Sequence, residues 1–156
     1  MENIMEQFEE FEEVEFPWLI FKIKENLYTV NSKVINTIVK MPEKITQVPN
    51  VPKYIKGLIH LRGNVIPLID LKILLKTKIQ QSESKEMIVV LENENCTVGI
   101  IVDEVLSVDN IIPFEETEEI LKICKDKYVS GVAKSEKSNE ILLILDEEKV
   151  MNSSEI

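Results

Sequence analysis

The chain has 156 residues, 44% of them apolar and 29% charged, enough to bury one sizeable core, and it holds no apolar run near the ~20 residues that span a bilayer. Its net charge of −10 is uneven: Glu2, Glu6, Glu9, Glu10, Glu12, Glu13 and Glu15 crowd the start without a Lys or Arg, leaving −3 for the rest. Phosphate backbones and anionic membrane surfaces repel such a chain, so neither nucleic-acid binding nor membrane insertion is expected.

The acidic start lacks the basic and apolar regions of a secretory leader, and a cytoplasmic protein is expected. Cys96 and Cys124 stand far apart, and His60 is the single histidine. A tetrahedral zinc site would have to borrow carboxylates, so we expect no metal, no cofactor and two reduced thiols.

In chain order, residues 1–16 form an acidic tail. Met1, Ile4, Met5, Phe8 and Phe11 fall at helical spacing, but glutamates without i+4 lysines repel one another, which favours a solvated terminus. "WLIFKIK" (18–24) and "LYTVN" (27–31) read as strands around a Glu25-Asn26 turn, and "VINTIV" (34–39) as a β-branched strand. The prolines of 40–54 exclude a regular helix and suit an extended connection. Strands at 57–62 and 65–69 precede "DLKILLK" (70–76), a short helix that Asp70 can cap. After a polar loop, "EMIVVLE" (86–92) and "CTVGIIV" (96–102) form a hairpin, with Asp103 expected to cap a turn. "EVLSVDNII" (104–112) is a further strand, and 114–127 a loop or short helix. "YVSGVAK" (128–134) and "EILLILD" (140–146) make a last hairpin before a helical turn over 146–151. Closely spaced strands without βαβ alternation predict an all-β barrel or sandwich.

"GLIHLRGNVIPLIDL" (57–71) carries the chain's most unusual polar groups. A two-residue Gly63-Asn64 loop of type II′ pairs Arg62 with Val65, Leu61 with Ile66 and Ile59 with Leu68. One face is then apolar and core-facing: Ile59, Leu61, Ile66 and Leu68. The other carries Leu58, His60, Arg62, Val65, Pro67 and Ile69, apolar groups around one fixed cation, which suits a protein-docking surface. Pro67 has no ladder N–H and belongs at an edge or beside a break in pairing. His60 has no partners for nucleophilic catalysis, and no nucleophile elbow or cysteine signature accompanies it. A small barrel enzyme using His60 or Cys96 is therefore the weaker reading, and no catalytic residue is expected.

"ITQVPNVPKYIKGLIHLRGNVIPLIDL" (45–71), "VGIIVDEV" (98–105), "VSGVAK" (129–134) and "ILLILDEEKV" (141–150) together resemble the CheW coupling proteins of bacterial chemotaxis. The resemblance spans 17–151 and implies two five-stranded SH3-like β-barrel lobes on a shared hydrophobic core, with short helices. Lobe 1 is expected mainly over 32–86, lobe 2 over 17–31 plus 87–145, and 152–156 is a C-terminal tail. It further implies a non-catalytic adaptor, recruited to membrane-associated arrays, joining methyl-accepting chemoreceptor cytoplasmic tips to the regulatory domain of the histidine kinase CheA. A CheW-like adaptor for a different signalling kinase is the alternative. Matched position by position, the receptor-binding residues are Arg62, Gly57, Leu58, Ile35, Asn36, Thr37, Gly99, Val105 and Val108, while the kinase surface has no named residues. The family's V-x-E-I reads Ile35-Asn36-Thr37-Ile38 here, so an acidic partner for Arg62 is missing from that strand: either Glu43 or another acid replaces it, or Arg62 is free to meet a receptor carboxylate. His60 stands where the family has Asn.

Overall fold

The computed structural model describes residue 4 and residues 16–77, 85–124 and 126–154. Among the described residues are eleven strands: β1 (Trp18–Ile23), β2 (Asn26–Asn31), β3 (Ile35–Lys40), β4 (Ile55–Leu61), β5 (Asn64–Asp70), β6 (Met87–Glu92), β7 (Thr97–Val102), β8 (Glu104–Asp109), β9 (Ile111–Pro113), β10 (Val129–Ser135) and β11 (Ile141–Leu145). Short α-helices among the described residues follow them: α1 (Leu71–Leu74), α2 (Glu118–Ile123) and α3 (Glu147–Asn152). Asp70 caps α1 as expected, its side chain accepting from Lys72 N, and Asp146 caps α3 in the same way from Lys149 N.

The strands form two sheets, β8-β1-β2-β11-β10-β9 and β3-β6-β7-β5-β4. Each curls towards closure by the same device. β8 and β9 are one strand broken at Asn110: β8 pairs with β1 at one edge, and β9 with β10 at the other. Buried Asp109 holds that break, accepting from Ser135 Oγ, Lys137 N and Asn110 N. In the other sheet the chain leaving β3 swings across to β4, where Thr46 and Leu58 exchange backbone hydrogen bonds of 3.0 and 2.7 Å.

The sheets revise the expected division of lobes. Strands 87–92 and 97–102 pair with β3 and β5, so they belong to lobe 1 and not to lobe 2. Behind this lies a repeat. A hairpin, a bulged strand, a second hairpin and a capped helix occur in that order twice, as β1–β5 with α1 and as β6–β11 with α3. Each unit lends its first hairpin to the other's sheet: β1-β2 joins β8 and β11, and β6-β7 joins β3 and β5. The parallel contacts β2·β11 and β5·β7 result from the exchange.

That interlacing explains the shared core. One buried cluster draws Leu19, Phe21 and Val30 from lobe 2 and Ile55, Ile69, Val89 and Ile100 from lobe 1. A second, Ile59, Ile66, Leu68, Ile88, Val90 and Ile101, fills lobe 1 alone. Of the tail, Ile4 and Phe16 are described; Ile4 is helical and half-buried against the shared cluster, Phe16 is exposed, and the rest of the expectation for 1–15 lies outside the described residues.

Candidate functional site

The β4-β5 hairpin turns one residue earlier than expected. Leu61 pairs with Asn64, so the loop is Arg62-Gly63, with φ +50° and +84°. Two successive positive φ values make this the type I′ geometry that matches strand twist. The expected register is corrected by two positions: Ile59 faces Ile66 and His60 faces Val65. Because side chains alternate with period two, a shift of two leaves the faces intact. Ile59, Ile66 and Leu68 are buried in the lobe-1 cluster, with Leu61 packed beside it.

Arg62 consequently leaves the strand face and stands at the hairpin tip, exposed. The mixed face divides. Near the turn His60 and Val65 are exposed; further down, Leu58 and Pro67 are half-buried and Ile69 belongs to the shared core. Pro67 meets Leu58 on one side, and the β5·β7 ladder begins only at Leu68, so the proline sits beside a break in pairing.

A groove of about 380 Å³ runs alongside the tip, lined by Arg62, Leu61, Asn64, Val65, Ile66, Val90, Thr97, Asn36 and Glu92. Asn36 enters it through a bulge: Ile35 pairs with Leu91 and Thr37 with Val90, leaving Asn36 unpaired on the ladder. Its Nδ2 donates to Glu92 Oε2 at 2.5 Å. The acid in the Arg62 groove is thus Glu92 on β6, and not Glu43. A second hollow with Lys33, Ile35, Asn36, Glu92 and Glu94 adjoins it.

Of the nine sequence-matched residues, the structure brings together Arg62 and Asn36, with Ile35 next door. The others are packed. Gly57 has φ +148°, and a Cβ there would lie 2.3 Å from the Thr46 carbonyl oxygen, so glycine is demanded by the strand crossing that closes lobe 1. A Cβ on Gly99 would lie within 2.8 Å of both Leu68 Cδ2 and Ile88 Cγ2. Thr37 and Val108 are buried, and Leu58 and Val105 half-buried. Sequence reasoning missed Glu92, Asn64 and Thr97. A strand-end acid within a hairpin carries no local signal, since only the β3·β6 pairing brings it beside Asn36.

Beneath the lobes' crossing lies an ionic hub. Lys72 Nζ on α1 lies 3.3 Å from Glu86 Oε2 and 3.4 Å from Asp103 Oδ1, and Asp103 Oδ2 accepts from Lys24 N in the β1-β2 turn at 2.6 Å. Asp103 therefore caps a turn, as expected, and also ties lobe 2's hairpin to lobe 1's helix. Burial pulls the Lys72 ammonium down, but Glu86, Asp103 and Asp70 outweigh it and hold its pKa above the ordinary value. His60 is exposed on β4, Cys96 sits in the 93–96 turn against the shared core, and burial pushes the Cys124 thiol up. Among the described residues no cluster of His, Cys, Asp and Glu is arranged to hold a metal, and no helix is long and apolar enough to cross a membrane.

A family model for the CheW-like domain matches residues 17–155. The chain belongs to the CheW-like domain family. It is 30% identical over 134 residues to the chemotaxis protein CheW of Bacillus subtilis, covering 86% of this chain and 85% of that one. Similarity to CheW of Klebsiella aerogenes is 27% over 144 residues (89% and 83%), and to CheW of Thermotoga maritima 29% over 140 residues (88% of each). The crystal structure of the scaffolding protein TtCheW from Thermoanaerobacter tengcongensis superposes with a TM-score of 0.75 at 27% identity, covering 92% of this chain and 94% of that one. The all-β, two-lobed fold is the CheW fold, and this CheW-like chain is a coupling adaptor of chemotaxis.

Proposed function

We propose that this protein joins the cytoplasmic tips of methyl-accepting chemoreceptors to the regulatory domain of the histidine kinase CheA, acting through binding alone. On this reading it works in the cytoplasm and is recruited to receptor arrays. The observation that carries the receptor half is Arg62, an exposed cation at a hairpin tip on the rim of a groove. A receptor tip is an antiparallel helical hairpin, and a ridge of it laid along such a groove would take its register from the guanidinium at the rim. Gly57, Leu58, Thr37 and Gly99, on lobe 1's strands, and Val105 and Val108, on β8 of lobe 2, lie outside the groove's lining.

The test is co-sedimentation of the full chain with a receptor cytoplasmic fragment and with the kinase regulatory domain, separately and together. Pelleting with each, and a ternary assembly exceeding either pair, is expected. Failure of the full chain to bind either one overturns the proposal. The enzyme reading is checked alongside it: His60→Gln should leave assembly unchanged.

A further inference from the structure

We propose that Glu92 is a second recognition charge of the groove, set by Asn36 to receive a basic side chain from the same partner surface that offers a carboxylate to Arg62. This rests on the receptor-docking reading above and goes beyond it. It assigns a residue and a charge pattern: the docking surface carries an anion and a cation together.

Three observations support it. First, Glu92 and Arg62 line one groove, yet among the described residues neither is closed into an ion pair. Both charges remain available. Second, the carboxylate is placed. Asn36 Nδ2 binds Oε2, which leaves Oε1 and the remaining lone pairs for a partner's donors. The bulge that frees Asn36 from the ladder is what aims it.

Third, the repeat supplies an internal control. Ile20 pairs with Thr29 as Val90 pairs with Gly99, and the β1·β8 register skips Leu106 as the β3·β6 register skips Asn36. Leu106 thus corresponds to Asn36, and Lys22 to Glu92. Lobe 2 keeps the bulge without the amide–carboxylate pair, so the fold does not require that pair. The neighbouring charges, Lys33 and Glu94, line the adjoining hollow and oppose each other.

The experiment measures binding of the full chain to a chemoreceptor cytoplasmic fragment at low and high salt. Glu92→Gln keeps the side chain's shape and its capacity to accept from Asn36 while removing the charge. Glu118→Gln, on exposed α2, controls for net charge. The expected result is about fivefold weaker binding for Glu92→Gln, within the range of a partly desolvated pair. Glu92→Lys should weaken binding further, Asn36→Ala should cost about half as much on a logarithmic scale, and the loss for Glu92→Gln should shrink at high salt. Unchanged melting temperatures would confirm intact folds. If the unmodified chain binds and Glu92→Gln is indistinguishable from Glu118→Gln, the Glu92 assignment is overturned while the receptor reading stands. If the unmodified chain does not bind, both are overturned.

Discussion

Arg62 holds φ +50° at the first central position of a type I′ turn, a place that suits Asn, Asp or Gly. For a long side chain the left-handed region costs roughly 1–2 kcal/mol, of which Asn recovers a large part through its tolerance of that conformation. Arg62 is exposed and, among the described residues, makes no ion pair, so removing it forfeits nothing of comparable size. Arg62→Asn, which gives the loop the preferred Asn-Gly dipeptide, should therefore stabilise the protein by about 0.5–1 kcal/mol, or raise its melting temperature by about 1–4 °C for a domain of this size. The same change removes the guanidinium from the groove and should weaken binding to a receptor fragment about tenfold or more. Differential scanning calorimetry and isothermal titration on one preparation read both effects. A residue kept in a strained conformation for binding gives a tighter fold and a poorer binder when replaced. A lower melting temperature with binding retained would refute the reasoning and make Arg62 a structural residue.

Gly57→Ala should destabilise by about 2–4 kcal/mol, because the new methyl meets backbone at Thr46 and the positive φ penalises any side chain; urea denaturation measures it. Lys72→Met should cost about 3–5 kcal/mol by stranding Glu86 and Asp103 in a largely buried hub, again read by urea. The pH dependence has a definite sign. The folded-state pKa of Lys72 is raised above its ordinary 10.5, so its stabilisation is complete below that value and is lost as pH rises through the folded pKa. As pH rises above the ordinary 10.5 the native chain should therefore lose more stability than Lys72→Met does.

Alternation made the faces of the β4-β5 hairpin legible: Ile59, Ile66 and Leu68 were identifiable as core without knowing their partners. Register was not, since Arg62-Gly63 and Gly63-Asn64 both read as two-residue hairpin loops and both primed turn types match strand twist. The same uncertainty moved the first turn to Lys24-Glu25, one residue ahead of the expected Glu25-Asn26. Lobe membership of 87–102 was hidden for a different reason. Strand-to-strand choice between hairpins is non-local, and exchange of hairpins between two similar units leaves no trace in periodicity. Arg62 was found because a cation among aliphatics is conspicuous. Glu92 looked like any strand-end acid until β3 placed Asn36 beside it.

The most direct test of groove docking is a titration of isotope-labelled full chain with a receptor cytoplasmic fragment, followed by amide chemical shifts. The largest changes are expected at Asn36, Arg62, Asn64, Glu92 and Thr97, with the β10-β11 side of lobe 2 quiet. Saturable binding whose shifts gather around exposed Ile112 and Ile141 while the groove stays silent would contradict it.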